Sequence, residues 1–182
     1  MSATAEELQR RRLLNLLGAL ATAAEGRLWG RLEREEGVSS SAAATLVTLR
    51  TFEDRDISIG GLAAVVGLSH SATVRLVDRL SNAGLLARWP GRDGREVTLK
   101  LSPRGRAMAD RVLGAREDVI AEMVGPLPAS AIVSLSALLE GLLGQMTGSR
   151  RDARWICRVC DHGLCHRSGG CPVDDAATKL GE

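Results

Sequence analysis

The chain has 182 residues, a formal net charge of +2, 45% hydrophobic residues and 25% charged residues. This length allows one domain with an appendage and excludes two ordinary domains, and the composition excludes a disordered chain. Aromatic residues make up only 2%, so the core must be aliphatic, which favours helices. The small net charge identifies no partner, and the local distribution of charge has to be examined instead.

The N-terminal region has the outline of a secretory signal peptide, with arginines at positions 10–12 and an apolar run over residues 13–24. Glu6 and Glu7 precede the arginines, and the apolar pattern continues beyond the run at Leu28, so a helix of the mature protein is favoured. No stretch is expected to be long enough to span a membrane. We therefore expect a cytoplasmic protein, in which clustered cysteines suggest metal binding before disulfides.

Three helices are predicted in the first third of the chain. Apolar residues recur at three- and four-residue intervals over residues 5–36, which predicts one long helix that ends at a glycine. A second helix is expected after a serine N-cap within residues 39–41, and it ends near residue 52. A third helix spans residues 60–66, after a segment that could instead add a short strand, and ends at Gly67.

A fourth helix and a β-hairpin follow. Ser69 or Ser71 can cap a helix that runs to about residue 82. Residues 85–89 and 97–101 are short strand-like runs, and the sequence PGRDG between them contains Asp-Gly, a strong hairpin signal.

Two further helices precede the tail. The fifth opens at Pro103 and breaks at residues 125–126, and the sixth follows Pro128 with apolar residues in a heptad-like spacing. Together with the first helix, they carry more apolar surface than one small domain could bury. We therefore predict a homodimer built from these helices, with packing inside one chain as the alternative.

The central part of the chain resembles the MarR family of transcription regulators. Four segments carry the resemblance, in the order that the family shows. The recognition-helix pattern is matched by GLSHSATVRLVDRL (67–80), and the lead into the wing by NAGLLAR (82–88). The Asp-x-Arg wing motif is matched by DGR (93–95), and its Leu-Thr-x-x-Gly continuation by LSPRG (101–105), with Ser102 where Thr is usual. The resemblance covers about residues 5–147. It implies a mainly α fold with a small β-wing, a winged helix-turn-helix dimerised through its N- and C-terminal helices.

The charge distribution agrees with a DNA-binding surface. Residues 68–106 hold eight basic and three acidic residues, a net +5 against +2 for the whole chain. On the fourth helix, Val74, Val77 and Leu80 are expected to face the core. The residues expected to contact DNA are those placed outward on this helix and on the wing: Ser69, His70, Ser71, Thr73, Arg75, Arg79, Arg88, Arg92 and Arg95.

Two charged positions carry further expectations. Arg79 could instead pair with Asp78 or Glu96 on a solvated face. The resemblance implies that Asp93 orients Arg95 rather than contacting DNA. Replacing Arg95 by Ala is predicted to weaken operator binding and to lower the slope of its salt dependence by about one.

All four cysteines of the chain lie in its tail, with the spacing C-x2-C-x4-C-x5-C followed by proline: Cys157, Cys160, Cys165 and Cys171. Zinc sites usually present two short ligand pairs, and only one is present here, although His162 and His166 could substitute. Iron–sulfur clusters take four thiolates from a compact, wrapping loop that often ends in Cys-Pro. The tail also resembles the cluster loop of SoxR regulators, but with four residues rather than one between its second and third cysteines.

These features predict an iron–sulfur cluster, [2Fe–2S] or [4Fe–4S], with Zn²⁺ as the alternative and a thiol–disulfide switch as a third reading. The predicted organisation is a dimerisation helix (1–36), a winged helix-turn-helix (37–106), further dimerisation helices (107–147) and the cysteine tail (148–182). We expect a repressor that binds a palindromic operator, with DNA affinity that responds to the cluster. We expect neither enzymatic activity nor a membrane partner.

The sequence is compatible with two other functions. One is a MarR-like repressor that is released by a small aromatic ligand and has a structural zinc in its tail. The other is an electron-transfer or metal-carrier protein, against which the basic region of residues 68–106 argues.

Overall fold

The computed structural model describes residues 4–91, 97–167 and 169–181. Within these ranges the chain forms nine helices and one two-stranded sheet. Their bounds are α1 (Ala5–Glu36), α2 (Ser40–Thr51), α3 (Ile59–Val66), α4 (His70–Asn82), β1 (Leu86–Pro90), β2 (Val97–Leu101), α5 (Pro103–Val124), α6 (Ala129–Met146), α7 (Arg150–Ile156), α8 (His162–Arg167) and α9 (Pro172–Lys179).

Side-chain caps determine where the first five helices begin. In each, a Ser or Thr hydroxyl accepts a hydrogen bond from the backbone N–H three residues further on, which satisfies one of the unpaired donors of the first turn. These capping residues are Thr4, Ser39, Ser58, Ser69 and Ser102. The predicted serine caps of the second and fourth helices are thus confirmed, at Ser39 and Ser69.

The two strands form the wing and pair antiparallel, with Leu86 opposite Leu101 and Pro90 opposite Val97. A third segment joins the sheet by one bridge between Ser58 and Thr98. The segment before α3 therefore both extends the sheet and enters the helix. The predicted hairpin turn contains residues 92–96, which lie outside the described residues.

The main core is aliphatic and is centred on α5, which packs against α1 and α2. The apolar face of α5 is buried inside the protomer at Met108, Val112, Ala115 and Val119. The expectation that this helix exposes an apolar stripe for dimerisation is therefore wrong, because α1 and α2 of the same chain cover that stripe.

The helices α1 and α6 expose their apolar faces. Only Leu28 and Leu32 of α1 are buried, and no residue of α6 is. The large exposed side chains of the two helices are Leu8, Leu13, Leu14, Leu16, Leu17, Leu20, Ile132, Val133, Leu138, Leu139, Leu142 and Met146. The helix α6, with 18 residues and a mean hydropathy of 1.4, is long and apolar enough to cross a membrane by length and composition alone. Our expectation that no stretch is long enough is therefore wrong.

The cysteine tail is helical rather than a loop. It forms α7, α8 and α9, with a small second core of Ala153, Cys171, Val173 and Ala177 that Leu143 of α6 also contacts. The helix α7 packs against α3 of the winged helix, and α9 packs against α6 and α7. The tail therefore lies between the DNA-binding region and the C-terminal helices.

Candidate functional site

The helix α4 presents a polar surface at its N-terminal end. Ser69, His70, Ser71 and Arg75 are exposed there, and Arg79 is exposed in the last turn of the same helix. The Ser69 hydroxyl caps the helix by accepting from the backbone N–H of Ala72 at 3.2 Å, and it lies 3.3 Å from the hydroxyl of Ser71. These short hydroxyls and guanidinium groups can bind phosphates and base edges.

Thr73 does not belong to this exposed surface. Its side chain is 0% exposed, and its hydroxyl donates to the carbonyl of Ser69 at 3.0 Å. The buried face of α4 consists of Thr73, Leu76, Val77 and Leu80, and Val74 is only half-buried. The predictions that Thr73 contacts DNA and that Val74 faces the core are therefore wrong, because the helix is turned so that Thr73 and Leu76 point inward.

Several basic side chains of residues 68–106 have acidic or carbonyl partners. Arg88 forms an ion pair of 2.7 Å with Asp78, so the proposed partner of Arg79 is taken by another arginine. Arg106 pairs with Glu53 at 2.6 Å, and Lys100 donates to the carbonyl of Glu53 at 3.0 Å. Among the described residues of this segment, Arg75 and Arg79 of α4 therefore remain as basic side chains directed to solvent.

The wing-tip predictions, Arg92 and Arg95 as DNA contacts and Asp93 as the residue that orients Arg95, lie outside the described residues. Glu96, the other partner suggested for Arg79, lies outside them as well. Within the described part of the chain, Arg75 and Arg79 form no ion pair.

The four cysteines come from three short helices. Cys157 caps the C-terminus of α7, Cys160 lies in the following turn, Cys165 is on α8 and Cys171 is the N-cap of α9. All four are free thiols, and Cys171 is buried. Cys157 hydrogen bonds with both Cys160 and Cys171, and Cys165 interacts electrostatically with Cys160 and Cys171. The four thiols therefore lie near one another within one chain.

The thiols of this group differ in acidity. The hydrogen bond from Cys157 lowers the pKa of Cys160 to about 6, and the guanidinium groups of Arg116 and Arg158 act in the same direction. The hydrogen bond to Cys160, followed by burial, raises the pKa of Cys157. Burial also raises the pKa of Cys165. Cys160 is therefore the thiolate of the group, and Cys157 donates its proton toward it.

Arg116 of α5 is a site residue that the sequence did not indicate. Its Nη2 lies 3.8 Å from the Sγ of Cys160, although the two residues are 44 positions apart. The two arginines that act on Cys160 are Arg116 and Arg158. No spacing rule links Arg116 to the tail, and only the tertiary fold brings Arg116 and Cys160 together.

Trp155 of α7 contacts the turn of the helix-turn-helix. A Cβ on Gly67 would lie only 2.7 Å from Cζ3 of Trp155, and Gly67 has a left-handed φ of +68°. The guanidinium of Arg158 lies over the Trp155 ring, 3.6 Å from its centroid. The glycine therefore serves both the left-handed backbone and the close approach of the indole.

A cavity of about 300 Å³ lies between the tail and the winged helix. Residues of α2, α7 and α9 and of the turn after α2 line it, including Phe52, Cys157, Cys171, His162 and Asp174. Four arginines also line it: Arg55, Arg150, Arg154 and Arg158. The cationic lining suits an anionic group.

Comparison with known proteins supports this reading of the fold. Residues 36–96 match the family model described as the MarR family. No curated protein matches the chain in sequence.

Three solved structures illustrate the likeness. A MarR family protein from Bacillus stearothermophilus has 24% identity and a TM-score of 0.66, over 80% of this chain and 99% of its own. MepR, a transcription regulator of the Staphylococcus aureus multidrug efflux pump MepA, has 15% identity and a TM-score of 0.64, over 71% and 95%. CouR from Rhodococcus jostii RHA1, solved bound to p-coumaroyl-CoA, has 20% identity and a TM-score of 0.52, over 70% and 88%.

The matched family residues contain α2, α3, α4 and β1, and the likeness in fold extends over most of each solved structure. Members of this family are transcription regulators and not enzymes, in agreement with the expectation from sequence. Residues 36–96 therefore match the model of the MarR family, and the chain has the winged helix-turn-helix fold of the solved MarR-family proteins.

Proposed function

We propose that this chain is a dimeric DNA-binding repressor whose affinity for its operator responds to an iron–sulfur cluster ligated by four tail cysteines: Cys157, Cys160, Cys165 and Cys171. The observation that carries the proposal is the contact between Trp155, two residues before the first of these cysteines, and Gly67 at the helix-turn-helix turn. This contact joins the sulfur site to the DNA-binding element. A palindromic operator is expected for a two-fold symmetric dimer.

The residues present fit such a cluster. Four thiols form a soft donor set that suits iron–sulfur clusters, and also zinc. Arg116 and Arg158 place positive charge beside Cys160, which stabilises the negative charge of a thiolate-ligated centre. A bound cluster would supply a centre that changes charge when it gains or loses an electron or is lost.

The route from the site to DNA is short. Cys157 caps α7, and α7 packs against α3. Gly67 ends α3 and lies two residues before Ser69, the N-cap of the recognition helix. A change in the order of the segment around Cys157 would therefore be felt at the turn that sets the angle between α3 and α4. A coupling free energy of about 1–3 kcal/mol, or roughly 5- to 150-fold in DNA affinity, would make a useful switch.

The exposed apolar faces of α1 and α6 support a dimer. Each helix leaves a row of leucines in contact with solvent in the single protomer. Apolar surface of this extent marks an interface, and a second copy of the chain is the occupant that the family fold favours.

The first experiment tests the identity of the centre. Protein purified without oxygen should be brown, contain iron and acid-labile sulfide, and bind an operator selected from a random duplex library. Its affinity for that operator should change when the cluster is removed by a chelator. Colourless protein with one zinc per chain and full operator affinity would contradict the proposal.

The second experiment tests the route. Replacing Trp155 by Ala should leave the iron content unchanged and reduce the effect of cluster removal on DNA affinity. Leu180→Ala is the matched control. Leu180 is also an exposed tail residue, but it belongs neither to the Trp155–Gly67 contact nor to the small tail core. If cluster removal changed the DNA affinity of the Trp155 variant as much as that of the wild type, the Trp155–Gly67 contact would not carry the effect.

A second candidate function is supported by the arginine-lined cavity. A small anionic ligand bound there would contact both the tail and the winged helix, and a structural zinc at the cysteines would then hold the tail in place. CouR, of similar fold, was solved with an acyl-CoA, which is an anionic ligand. Loss of DNA binding on addition of such a ligand to colourless, zinc-loaded protein would favour this candidate.

A further inference from the structure

The two tail histidines and one tail carboxylate form a second group of potential metal ligands. His162 and His166 lie four residues apart on α8, and Asp174 lies in the first turn of α9. One ligand atom from each of the three residues lies within 4.8 Å of the other two. The group combines two imidazoles with a carboxylate, a donor set distinct from the four thiols.

The geometry at the two histidines is close to that of a shared ion. Their Nε2 atoms are 3.0 Å apart. Two ligands of a tetrahedral zinc at about 2.0–2.1 Å would be separated by roughly 3.3 Å, so an ion could enter with a small adjustment of the rings. A hydrogen bond between two neutral imidazoles also explains this distance, but it does not account for the third ligand atom, from Asp174, within 4.8 Å of both rings.

The surroundings of the third ligand favour the ion. The Oδ1 of Asp174 accepts a hydrogen bond from Nη1 of Arg150 at 3.0 Å, and Nη2 of Arg150 also contacts the hydroxyl of Thr178 at 3.2 Å. Such outer contacts orient a ligating carboxylate. Phe52 packs against the ring of His162, with centroids 5.9 Å apart, and restricts that imidazole from the winged-helix side.

We propose that His162, His166 and Asp174 bind one divalent transition-metal ion of the zinc class, separate from the centre held by the cysteines. Imidazole nitrogen and carboxylate oxygen suit zinc, and three protein ligands leave a fourth position for water or an anion. The ion ties α8 to α9 and thereby fixes the tail beside the C-terminus of α2. His162 and Asp174 also line the cavity of about 300 Å³, so this fourth position would be accessible to a ligand bound there.

The test uses the full chain, loaded with zinc and freed of excess metal by gel filtration, with metals counted by mass spectrometry. The double variant H162Q/H166Q should lose one zinc per chain relative to the wild type, while iron, sulfide and the visible spectrum stay unchanged. D174N should weaken zinc binding by at least about tenfold, which is the lower end of the effect seen when even outer contacts are removed. H70Q is the matched control, because His70 is the remaining histidine of the chain and lies on α4.

A second measurement reports the donor atoms. Cobalt(II) bound at the three residues should give visible d–d absorption without the intense near-ultraviolet charge transfer of cobalt thiolates. Circular dichroism checks that each variant is folded, and D174N provides the result if the double variant is not. An unchanged zinc content in both variants would overturn the proposal. The proposal would also be overturned if replacing Cys157 and Cys160 by Ser removed this zinc together with the cysteine-bound centre.

The result is independent of the nature of the cysteine centre. If the cysteines hold zinc, the wild type should contain two zinc ions and the histidine variant one, so the second site would stand while iron–sulfur sensing fails. If the protein is brown and neither variant changes its zinc content, sensing would stand while the second site fails.

Discussion

Replacing Gly105 by Ala is expected to destabilise the protein strongly. Gly105 lies in the first turn of α5, where it faces the start of the wing, and a Cβ there would lie 1.8 Å from the carbonyl oxygen of Leu85. Real Cβ atoms essentially never approach closer than 3.0 Å, so the helix and Leu85 would have to separate by more than 1 Å. Glycine is therefore required by close packing of α5 against the backbone at Leu85.

The magnitude follows from the bonds that this separation would break. The carbonyl of Leu85 accepts from the backbone N–H of Ser102 at 3.0 Å and from its hydroxyl at 3.2 Å. Losing both costs about 2 kcal/mol at roughly 1 kcal/mol each, and overpacking adds about 1–3 kcal/mol. We expect a loss of about 3–5 kcal/mol in the free energy of unfolding.

Urea denaturation followed by circular dichroism, at a fixed protomer concentration, measures this loss. Gly114→Ala is the control, because a Cβ at Gly114 meets nothing within 4 Å and the position lies in the same helix. That change should stabilise the protein by about 0.5–1 kcal/mol, the helix preference of Ala over Gly. A Gly105→Ala protein within about 0.5 kcal/mol of the wild type would refute the packing argument.

Three further predictions concern assembly, DNA and the thiols. Leu139→Glu, on the exposed face of α6, should convert the dimer to a monomer in sedimentation equilibrium, and a retained dimer would count against this interface. Arg75→Ala should weaken operator binding by about 1–3 kcal/mol, as measured by fluorescence anisotropy. Arg88→Ala should weaken it less, because Arg88 already forms an ion pair with Asp78, and equal losses would contradict this. In chelator-treated protein, alkylation of Cys160 should slow as the pH falls through about 6, because the thiolate becomes protonated. Arg116→Gln should move that midpoint upward, and a midpoint at the ordinary thiol value in the wild type would show that the pKa of Cys160 is not lowered.

The sequence predicted helix bounds well wherever a cap or a glycine marked them. The bounds of α1 and the caps at Ser39 and Ser69 agree with the structure. The orientation of α4 was harder to predict, because Thr73 is polar by type and yet buried. Its hydroxyl is satisfied by the carbonyl of Ser69 one turn earlier, a local bond that a hydrophobic pattern does not register.

The tail helices were missed although local signals for them exist. The Ser149 hydroxyl accepts from the backbone N–H of Asp152 at the start of α7, and Pro172 occupies the first turn of α9, ahead of Asp174. The cysteine spacing instead predicted a loop that wraps a metal or iron–sulfur centre. The position of the tail depends on contacts distant in sequence, such as Arg116 with Cys160, and no local pattern encodes them.

The close contact of Trp155 with Gly67 has a consequence for protein engineering. Transplanting residues 148–181 onto another winged-helix chain would fail wherever the recipient carries a side chain at the corresponding turn, since the indole needs that space. A recipient would also need an arginine that matches Arg116 and the surface of α6 against which α9 packs. The tail and its docking surface therefore form one transferable unit, and a chimaera must carry both.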